Sequence, residues 1–227
     1  MKLIIVLLFL FPNAFYAQNT IDSKEKKGYY LEDQLYFGIT YSTLRKKPNG
    51  INLRGFSNSF FLGYIRDIPF NSKRDFGIGI GVGYNKDTYF HDMKIEEDNN
   101  QIIFKNFDDV DVFNSNKLVF HKVEVPFEIR WRNSTISDFK FWRVYTGVKF
   151  AYIFYSKAAY NLNGFQKITN FKEVNKFQYG LTLSAGHGTW NGFVYYGLSN
   201  LFNNAKFNGE DTIKMKSLKF GLVFYIL

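Results

Sequence analysis

The chain of 227 residues contains no cysteine and only 4 prolines, and its longest hydrophobic run lies at the very start. The absence of cysteine excludes a disulfide scaffold, a thiolate metal site, a cysteine nucleophile and a lipid anchor attached through cysteine. No later run of about 18 apolar residues predicts a transmembrane helix. The chain is nevertheless 20% aromatic, and its mean hydropathy is −0.23. Its apolar residues must therefore be interleaved with polar ones.

The amino terminus has the pattern of a targeting signal. An early lysine is followed by the apolar run Leu3–Phe11 and by a small-residue pattern that ends at Ala17. As a helix this run would span about 14 Å, roughly half of a bilayer core, which is too short for an anchor. The sequence predicts a signal peptide over residues 1–17, a short periplasmic segment over 18–32 and a folded domain over 33–227.

Period-two alternation predicts eight strands of about ten residues, the length that a tilted strand needs to cross a bilayer. In nearly every segment one face is large and apolar, and the other is small, glycine-rich or charged. The second segment is apolar on both faces, so its register stays unassigned. The predicted strands are Asp33–Thr43, Asn58–Ile68, Asp75–Asn85, Lys122–Arg132, Lys140–Ser156, Lys176–Gly186, Gly192–Leu201 and Ser217–Leu227.

The composition of the two faces distinguishes a membrane barrel from a soluble one. A soluble sandwich can also alternate apolar and charged residues, so Lys122–Arg132 alone decides nothing. The third segment sets bulky residues against an unbroken row of glycines from Gly77 to Gly83. In a soluble barrel those glycines would face water to no purpose, whereas in a transmembrane barrel they fit a crowded interior. We therefore expect an all-β fold: an eight-stranded antiparallel outer-membrane β-barrel with a filled polar lumen.

The lengths of the connections alternate strictly between short and long. Short turns at one end and long loops at the other are typical of outer-membrane barrels whose termini are both periplasmic. We expect the cell outer membrane as the location, with both termini on the periplasmic side. The short links are 69–74, 133–139 and 187–191, and the long ones are 44–57, 86–117, 157–175 and 202–216.

Eight charged residues fall on the faces predicted to line the lumen. Two interpretations are open: these residues form an ion path or a binding site, or they form a salt-bridged plug that only fills the barrel. The plug is favoured, because the interior of an eight-stranded barrel is just wide enough for side chains. A general diffusion pore is not expected. The eight residues are Lys122, Glu124, Glu128, Arg130, Arg132, Arg143, Lys149 and Lys219.

The three histidines invite a search for catalysis, because some small outer-membrane barrels process lipid A with His and Ser. His187 and Ser184 differ in parity and should face opposite sides of their strand. His91 falls in a predicted loop, and His121 has lipid-facing parity. Since a nucleophile, a base and an orienting group must be in mutual reach, no enzyme and no cofactor are predicted.

The long loop between Asp87 and Asp111 is rich in carboxylates. A hard cation such as calcium would suit them, but the spacing of an EF-hand loop is missing, so a solvated acidic loop is favoured and no metal is predicted. Basic residues elsewhere, including Arg45, Lys46 and Lys47 in the first loop, would suit lipid phosphates or acidic polysaccharide. Nucleic acid is excluded as a partner, because an exported chain does not meet it.

Several motifs resemble one known family. The chain is similar to the PorT-like outer-membrane β-barrels of the Bacteroidota, and the resemblance implies an eight-stranded barrel. The founding member of that family is associated with the type IX secretion system, so a secretion role is implied here as an expectation. One departure is the last residue, Leu227, where assembly machinery usually meets an aromatic. The motifs are GYIRDIP at 63–69, FGIGIGVGY at 76–84, VEVPFEIRWR at 123–132 and FWRVYTG at 141–147.

Two classes of function follow from these features. The first is a non-enzymatic accessory or scaffold subunit of an outer-membrane machine for protein secretion or assembly. The alternative is a stand-alone barrel that acts as a narrow solute channel or as a surface-binding protein. The expected partners are outer-membrane lipid and lipopolysaccharide, together with other outer-membrane or periplasmic proteins.

Overall fold

The computed structural model describes residues 33–71, 73–99, 101–107, 115–133, 142–162 and 164–226. The predicted signal peptide and the segment 18–32 lie outside these ranges. No helix among the described residues is long and apolar enough to cross a membrane. The strands are β1 (Asp33–Arg45), β2 (Asn58–Pro69), β3 (Phe76–Phe90), β4 (Met93–Asp98), β5 (Gln101–Asn106), β6 (Ser115–Arg132), β7 (Trp142–Asn161), β8 (Phe165–Thr169), β9 (Phe177–His187), β10 (Trp190–Gly197), β11 (Lys206–Phe207), β12 (Asp211–Thr212) and β13 (Lys216–Ile226).

Eight of these strands close into an antiparallel barrel. Their order is β6-β3-β2-β1-β13-β10-β9-β7, and pairing of β6 with β7 completes the ring. The predicted fold class is therefore confirmed. The prediction made three strands too short at the loop end, because β3 continues to Phe90, β6 begins at Ser115 and β7 reaches Asn161. The predicted loops 86–117 and 157–175 are thus partly strand.

Alternation along each strand separates a lipid-facing surface from the lumen. On β6, Phe127 and Ile129 are 43% and 51% exposed, whereas the next residue, Arg130, is 1% exposed. The register of β2, which the sequence left open, turns Phe61 and Ile65 inward. Both faces of β2 are apolar because these two side chains fill part of the lumen.

The glycine row on β3 makes room for long side chains that lie across the lumen. A Cβ atom added to Gly79 would lie 2.5 Å from the Nε of Arg130. That separation is far below van der Waals contact, so the buried guanidinium occupies the space that a larger residue would need. The glycine-rich inner face that the sequence predicts is thus required by the Arg130 side chain that packs against it.

Aromatic residues mark both ends of the apolar belt. All three tryptophans, Trp131, Trp142 and Trp190, lie outward at the end with short turns, here called the turn end. At the opposite end, the loop end, the Tyr84 hydroxyl is 2.6 Å from Nδ1 of His121. From His121 to Trp131 a tilted strand rises about 25 Å, which matches the apolar band of outer-membrane barrels.

Beyond the loop end, the long connections fold into a cap with its own apolar core. Strands β4, β5, β11 and β12 form a separate four-stranded sheet in the order β12-β11-β5-β4. This sheet corrects the expectation of a solvated acidic loop over 87–111, since the described part of that segment is largely strand. The buried apolar residues of the cap and the adjoining strand ends include Leu44, Ile51, Tyr89, Met93, Ile95, Phe104, Leu118, Phe120, Ile153, Phe171, Val174, Leu201, Phe202, Phe207, Ile213 and Met215.

Candidate functional site: the charged lumen and the loop-end cap

The loop-side third of the lumen is organised around one buried carboxylate. Asp87 is fully buried, and its two oxygens lie 2.5 Å from the Nζ atoms of Lys122 and Lys219. Lys122 also donates a hydrogen bond of 2.8 Å to Oε1 of Gln178. The placement of Asp87 in a solvated loop was wrong, because β3 continues past the predicted end and alternation turns this residue inward. Two of the predicted lumen residues thus share a partner that the sequence analysis missed.

The middle of the lumen holds a second ion pair. Nζ of Lys149 donates to Oε1 of Glu124 at 2.8 Å, and the Tyr36 hydroxyl donates to the same oxygen at 3.1 Å. The Lys149 ammonium also lies 4.5 Å from the centre of the Phe61 ring. Glu124 is therefore held by one ionic and one neutral donor, and Lys149 by a carboxylate and an aromatic face.

The turn-side third contains three arginines and two carboxylates. Arg130 donates to Glu128 at 3.0 Å, and its NH1 lies 3.6 Å from Asp67. Arg132 pairs with the other oxygen of Asp67 at 2.5 Å. The guanidinium of Arg143 lies 5.9 Å from the centre of the Tyr145 ring. Asp67 could not be predicted, since the register of β2 was open.

The eight lumen residues predicted from the sequence all face the interior, with exposed fractions between 1% and 9%. The structure distributes them over three adjoining groups and adds Asp67 and Asp87. Among the described residues the lumen then contains six basic side chains and four acidic ones, a net charge of 6 − 4 = +2. Whether the cluster is only structural or also gates the barrel stays a prediction.

Tyrosine and phenylalanine side chains fill the space between the charges. Eight inward residues from five strands pack into one apolar cluster, and a cavity about the size of one water molecule remains between Lys122, Glu124, Lys149 and Lys219. The lumen is therefore plugged by its own side chains. The cluster comprises Tyr36, Phe61, Ile65, Tyr145, Phe193, Tyr195, Val223 and Tyr225.

The histidines lie in three separate environments. Ser184 is buried inside the barrel whereas His187 is exposed, so the prediction that they face opposite sides is confirmed. His121 lies on the outer face beside Tyr84. His91 is buried under the cap, where its Nδ1 accepts a hydrogen bond from the backbone N–H of Met93 at 3.2 Å. Burial lowers the pKa of His91 to about 4, so the ring is neutral near pH 7.

Two of the described carboxylates of the cap, Asp92 and Glu96, are engaged with nearby donors. Asp92 accepts a hydrogen bond of 2.6 Å from the backbone N–H of Asn52. Glu96 pairs with Lys94 at 3.0 Å and with Lys105 at 2.6 Å. Partial burial raises the pKa of Glu96, but the two lysines outweigh it and hold the pKa below its usual value. Within the described ranges, no group of three His, Asp or Glu side chains is arranged to hold a metal ion. Asp108, Asp109 and Asp111 lie outside these ranges.

A closed antiparallel barrel with an apolar outer belt, aromatic ends and a charged, filled interior is a transmembrane β-barrel. Residues 16–203 match the family described as outer membrane protein beta-barrel domain, and the chain belongs to this family. The cell outer membrane is therefore its location. The finer PorT-like resemblance stays a prediction.

Comparisons with individual proteins add little to this assignment. No curated protein matches the chain. Among solved structures it is similar to Ail, the attachment invasion locus protein of Yersinia pestis, with 14% sequence identity and a TM-score of 0.35. That similarity covers 85% of this chain and 96% of the Ail chain. At these values it carries no conclusion about function.

Proposed function

We propose that this barrel is a non-enzymatic binding protein that works through its loop-end cap, as an accessory or scaffold subunit of an outer-membrane machine for protein secretion or assembly. The observation that carries this proposal is the combination of a lumen filled with paired charges and a cap with its own packed core. Because the interior is occupied, the loop end and the outer wall are the surfaces left for function. The secretion machine itself is suggested by the PorT-like sequence motifs.

The decisive experiment is affinity purification of a tagged copy from mildly solubilised outer membrane, with quantification of the co-purifying proteins. A partner in fixed ratio is expected, together with impaired display of surface proteins in a clean deletion strain. Charge reversal at the exposed cap residues Lys206 and Asp211 should weaken the association. The matched control is Lys73→Glu at the turn end, which should leave it intact. Recovery of the barrel alone, with normal surface display in the deletion strain, would overturn the proposal.

A second candidate is a stand-alone surface binder, and the ordered sheet of the cap favours it. In that case the tagged barrel is recovered without an envelope partner, and the isolated protein retains an extracellular ligand that Lys206→Glu releases. The solute-channel version has less support, because an ion would have to pass Arg130 and the aromatic cluster. We expect no conductance in planar bilayers. A steady conductance that changes in Glu128→Gln would establish a channel.

The proposed orientation places the loop end outside the cell and both termini in the periplasm. An epitope inserted between Asn208 and Gly209, in the turn of the cap, should then be stained on intact cells. An epitope in the β9–β10 turn at Gly188 should be stained only after permeabilisation. The reverse pattern would contradict the orientation.

Lipopolysaccharide is a proposed partner of the outer wall in this orientation. Two outward-facing lysines lie at the loop end, close to its aromatic residues. In the strand pairing Lys86 lies opposite His121, and Lys157 lies opposite Val119. Arg45 is less available, since its guanidinium lies 3.6 Å from the centre of the Tyr196 ring and donates to the Gly197 carbonyl. Loss of co-purifying lipopolysaccharide in a Lys86→Gln, Lys157→Gln variant, but not in Lys73→Gln, is the expected result.

The absence of catalysis is also part of the proposal. Ser184 and His187 lie on opposite faces, and His91 and His121 lie in separate environments, so none of these pairs forms a nucleophile and base. The lipid A mass spectrum should be the same in wild-type and deletion strains. A mass difference would reassign the protein as an enzyme.

A further inference from the structure

Five buried ionised side chains form one group in the loop-side and middle thirds of the lumen: four of them line the small cavity, and Asp87 pairs with two of those four. Three are lysines and two are carboxylates, and each is at most 6% exposed. Among the described residues this group carries a net charge of 3 − 2 = +1. The group comprises Asp87, Lys122, Glu124, Lys149 and Lys219.

The excess positive charge is not balanced by the bonds within the group. Asp87 serves both Lys122 and Lys219, so one carboxylate is shared by two ammonium groups. Glu124 is already paired with Lys149. The described side chains of the turn-side third, three arginines and two carboxylates, offer no surplus negative charge to this group.

Such an excess is costly inside a barrel wall. Burying an unpaired ion costs several kcal/mol even after relaxation. The cost is relieved when a group loses a proton or when a counterion enters. The cavity has room for about one water molecule, and three ammonium groups line it.

The lining of the cavity offers donors that an anion can use. Lys149 has three N–H donors, one of which goes to Glu124, and its ammonium lies 4.5 and 5.2 Å from the rings of Phe61 and Phe193. Tyr195 and Asn85 also line the cavity. Ammonium groups beside a small space walled by aromatic rings form a site of suitable charge and size for a monovalent anion, whereas a phosphate group is too large.

We propose that this cavity binds one small monovalent anion, chloride under ordinary conditions, as the counterion of the three lumen lysines. The anion neutralises the loop-side group and bridges Lys149 to the pair that shares Asp87. It is a structural ligand of the barrel and is independent of the partner proposed for the cap. No feature of the cap is needed for it to bind.

The first test is a crystal structure of the full protein grown in bromide in place of chloride. The expected result is one anomalous peak inside the barrel, between Lys149 and the Lys122–Lys219 pair. An empty cavity, or ordered water without anomalous signal, would overturn the proposal.

The second test measures the midpoint of the heat-induced band shift on gels while chloride replaces gluconate at constant ionic strength. Between about 1 and 300 mM chloride the midpoint should rise by roughly 5 °C, since an anion that binds only the folded barrel stabilises it by mass action. Lys149→Gln removes the excess charge and should abolish the rise. Glu124→Gln increases the excess charge and should enlarge it.

Lys46→Gln is the matched control, because this lysine is exposed outside the lumen. The control should keep the wild-type response to chloride. A wild-type midpoint that is equal in chloride and gluconate would overturn the proposal, even if bromide is seen at crystal concentrations. Should both lumen variants fail to fold, the wild-type titration and the bromide structure still decide the matter.

Discussion

The lumen and the cap are two buried regions of one chain that are filled in opposite ways. The lumen buries charges such as Arg130 and Asp87, whereas the cap buries apolar side chains such as Ile95 and Phe104. The difference follows from what lies outside each region. The barrel wall presents its apolar residues to lipid, so only inward positions are left for polar side chains. The cap presents its outer face to water and obeys the ordinary rule of an apolar interior.

The two regions therefore differ in how they should respond to substitution. Stability in the lumen depends on keeping charges paired, because an unpaired ion has no route to water. Stability in the cap depends on packing and on keeping its buried histidine neutral. The following substitutions test this contrast, from the largest expected effect to the smallest.

Asp87→Asn should cause the largest loss. It leaves the ammonium groups of Lys122 and Lys219 close together without their shared carboxylate, and breaking such a buried pair costs about 3–5 kcal/mol. The free energy of unfolding, measured with urea in detergent micelles, should fall by this amount. The control Asp98→Asn removes an exposed carboxylate at the end of β4 and should leave the free energy unchanged. Equal effects of the two variants would remove the contrast between lumen and cap.

His91 should make the cap sensitive to acid. Its pKa is about 4 in the folded protein and 6.5 in the unfolded chain, so the unfolded state binds the proton first as pH falls. The stability that His91 contributes is complete above about pH 6.5 and is lost as pH falls towards 4, by at most about 3 kcal/mol. Heat denaturation followed by circular dichroism at several pH values measures this loss.

His91→Asn separates this histidine from the carboxylates that also titrate in acid. The amide oxygen of Asn can replace Nδ1 as the acceptor for Met93 N–H, but it does not titrate. The variant should lose less stability than the wild type between pH 6.5 and 4. Parallel pH profiles for the two proteins would show that burial of His91 has no thermodynamic consequence.

Gly79→Ala should have a smaller effect on the lumen. The added methyl group would meet the Arg130 guanidinium at 2.5 Å, and overpacking of this kind costs about 1–3 kcal/mol. Gly192→Ala is the matched control, because the nearest atom to its added Cβ is 3.6 Å away. In urea titrations, the free energy of unfolding should fall for Gly79→Ala and stay unchanged for Gly192→Ala.

Ile95→Val should have the smallest effect of the four. Ile95 is 2% exposed in the cap, and loss of one buried methylene costs about 0.5–1.5 kcal/mol. The rate of protease cleavage within the cap should rise accordingly, while the barrel keeps its heat-shift midpoint. Ile39→Val on the lipid-facing surface is the control and should change neither. A lowered barrel midpoint in Ile95→Val would mean that the two regions unfold together.

The sequence predicted the barrel well because alternation is a local signal that a membrane wall makes strict. On β6, every second residue from Val123 to Trp131 is apolar, and this pattern located both the strand and its lumen charges. Asp67 and Asp87 were missed for two different reasons. One lies on a strand with two apolar faces, and the other lies beyond the point where the alternation was thought to end.

The cap could not be predicted from the same signal. Its buried residues, such as Ile95, Phe104 and Phe207, come from short strands in two separate connections. Each connection alone shows no sustained periodicity, and the core arises only when the barrel brings the loops together. Contacts between distant parts of the chain, rather than local pattern, define this region.

The placement of Trp131, Trp142 and Trp190 at the turn end has a spectroscopic consequence. Intrinsic tryptophan emission from this protein originates at a single level of the bilayer. Lipids brominated near their headgroups should quench it strongly, and lipids brominated at the chain ends only weakly. During refolding into vesicles, the emission will record when the turn end reaches the membrane–water interface, while folding of the cap will leave the emission wavelength unchanged.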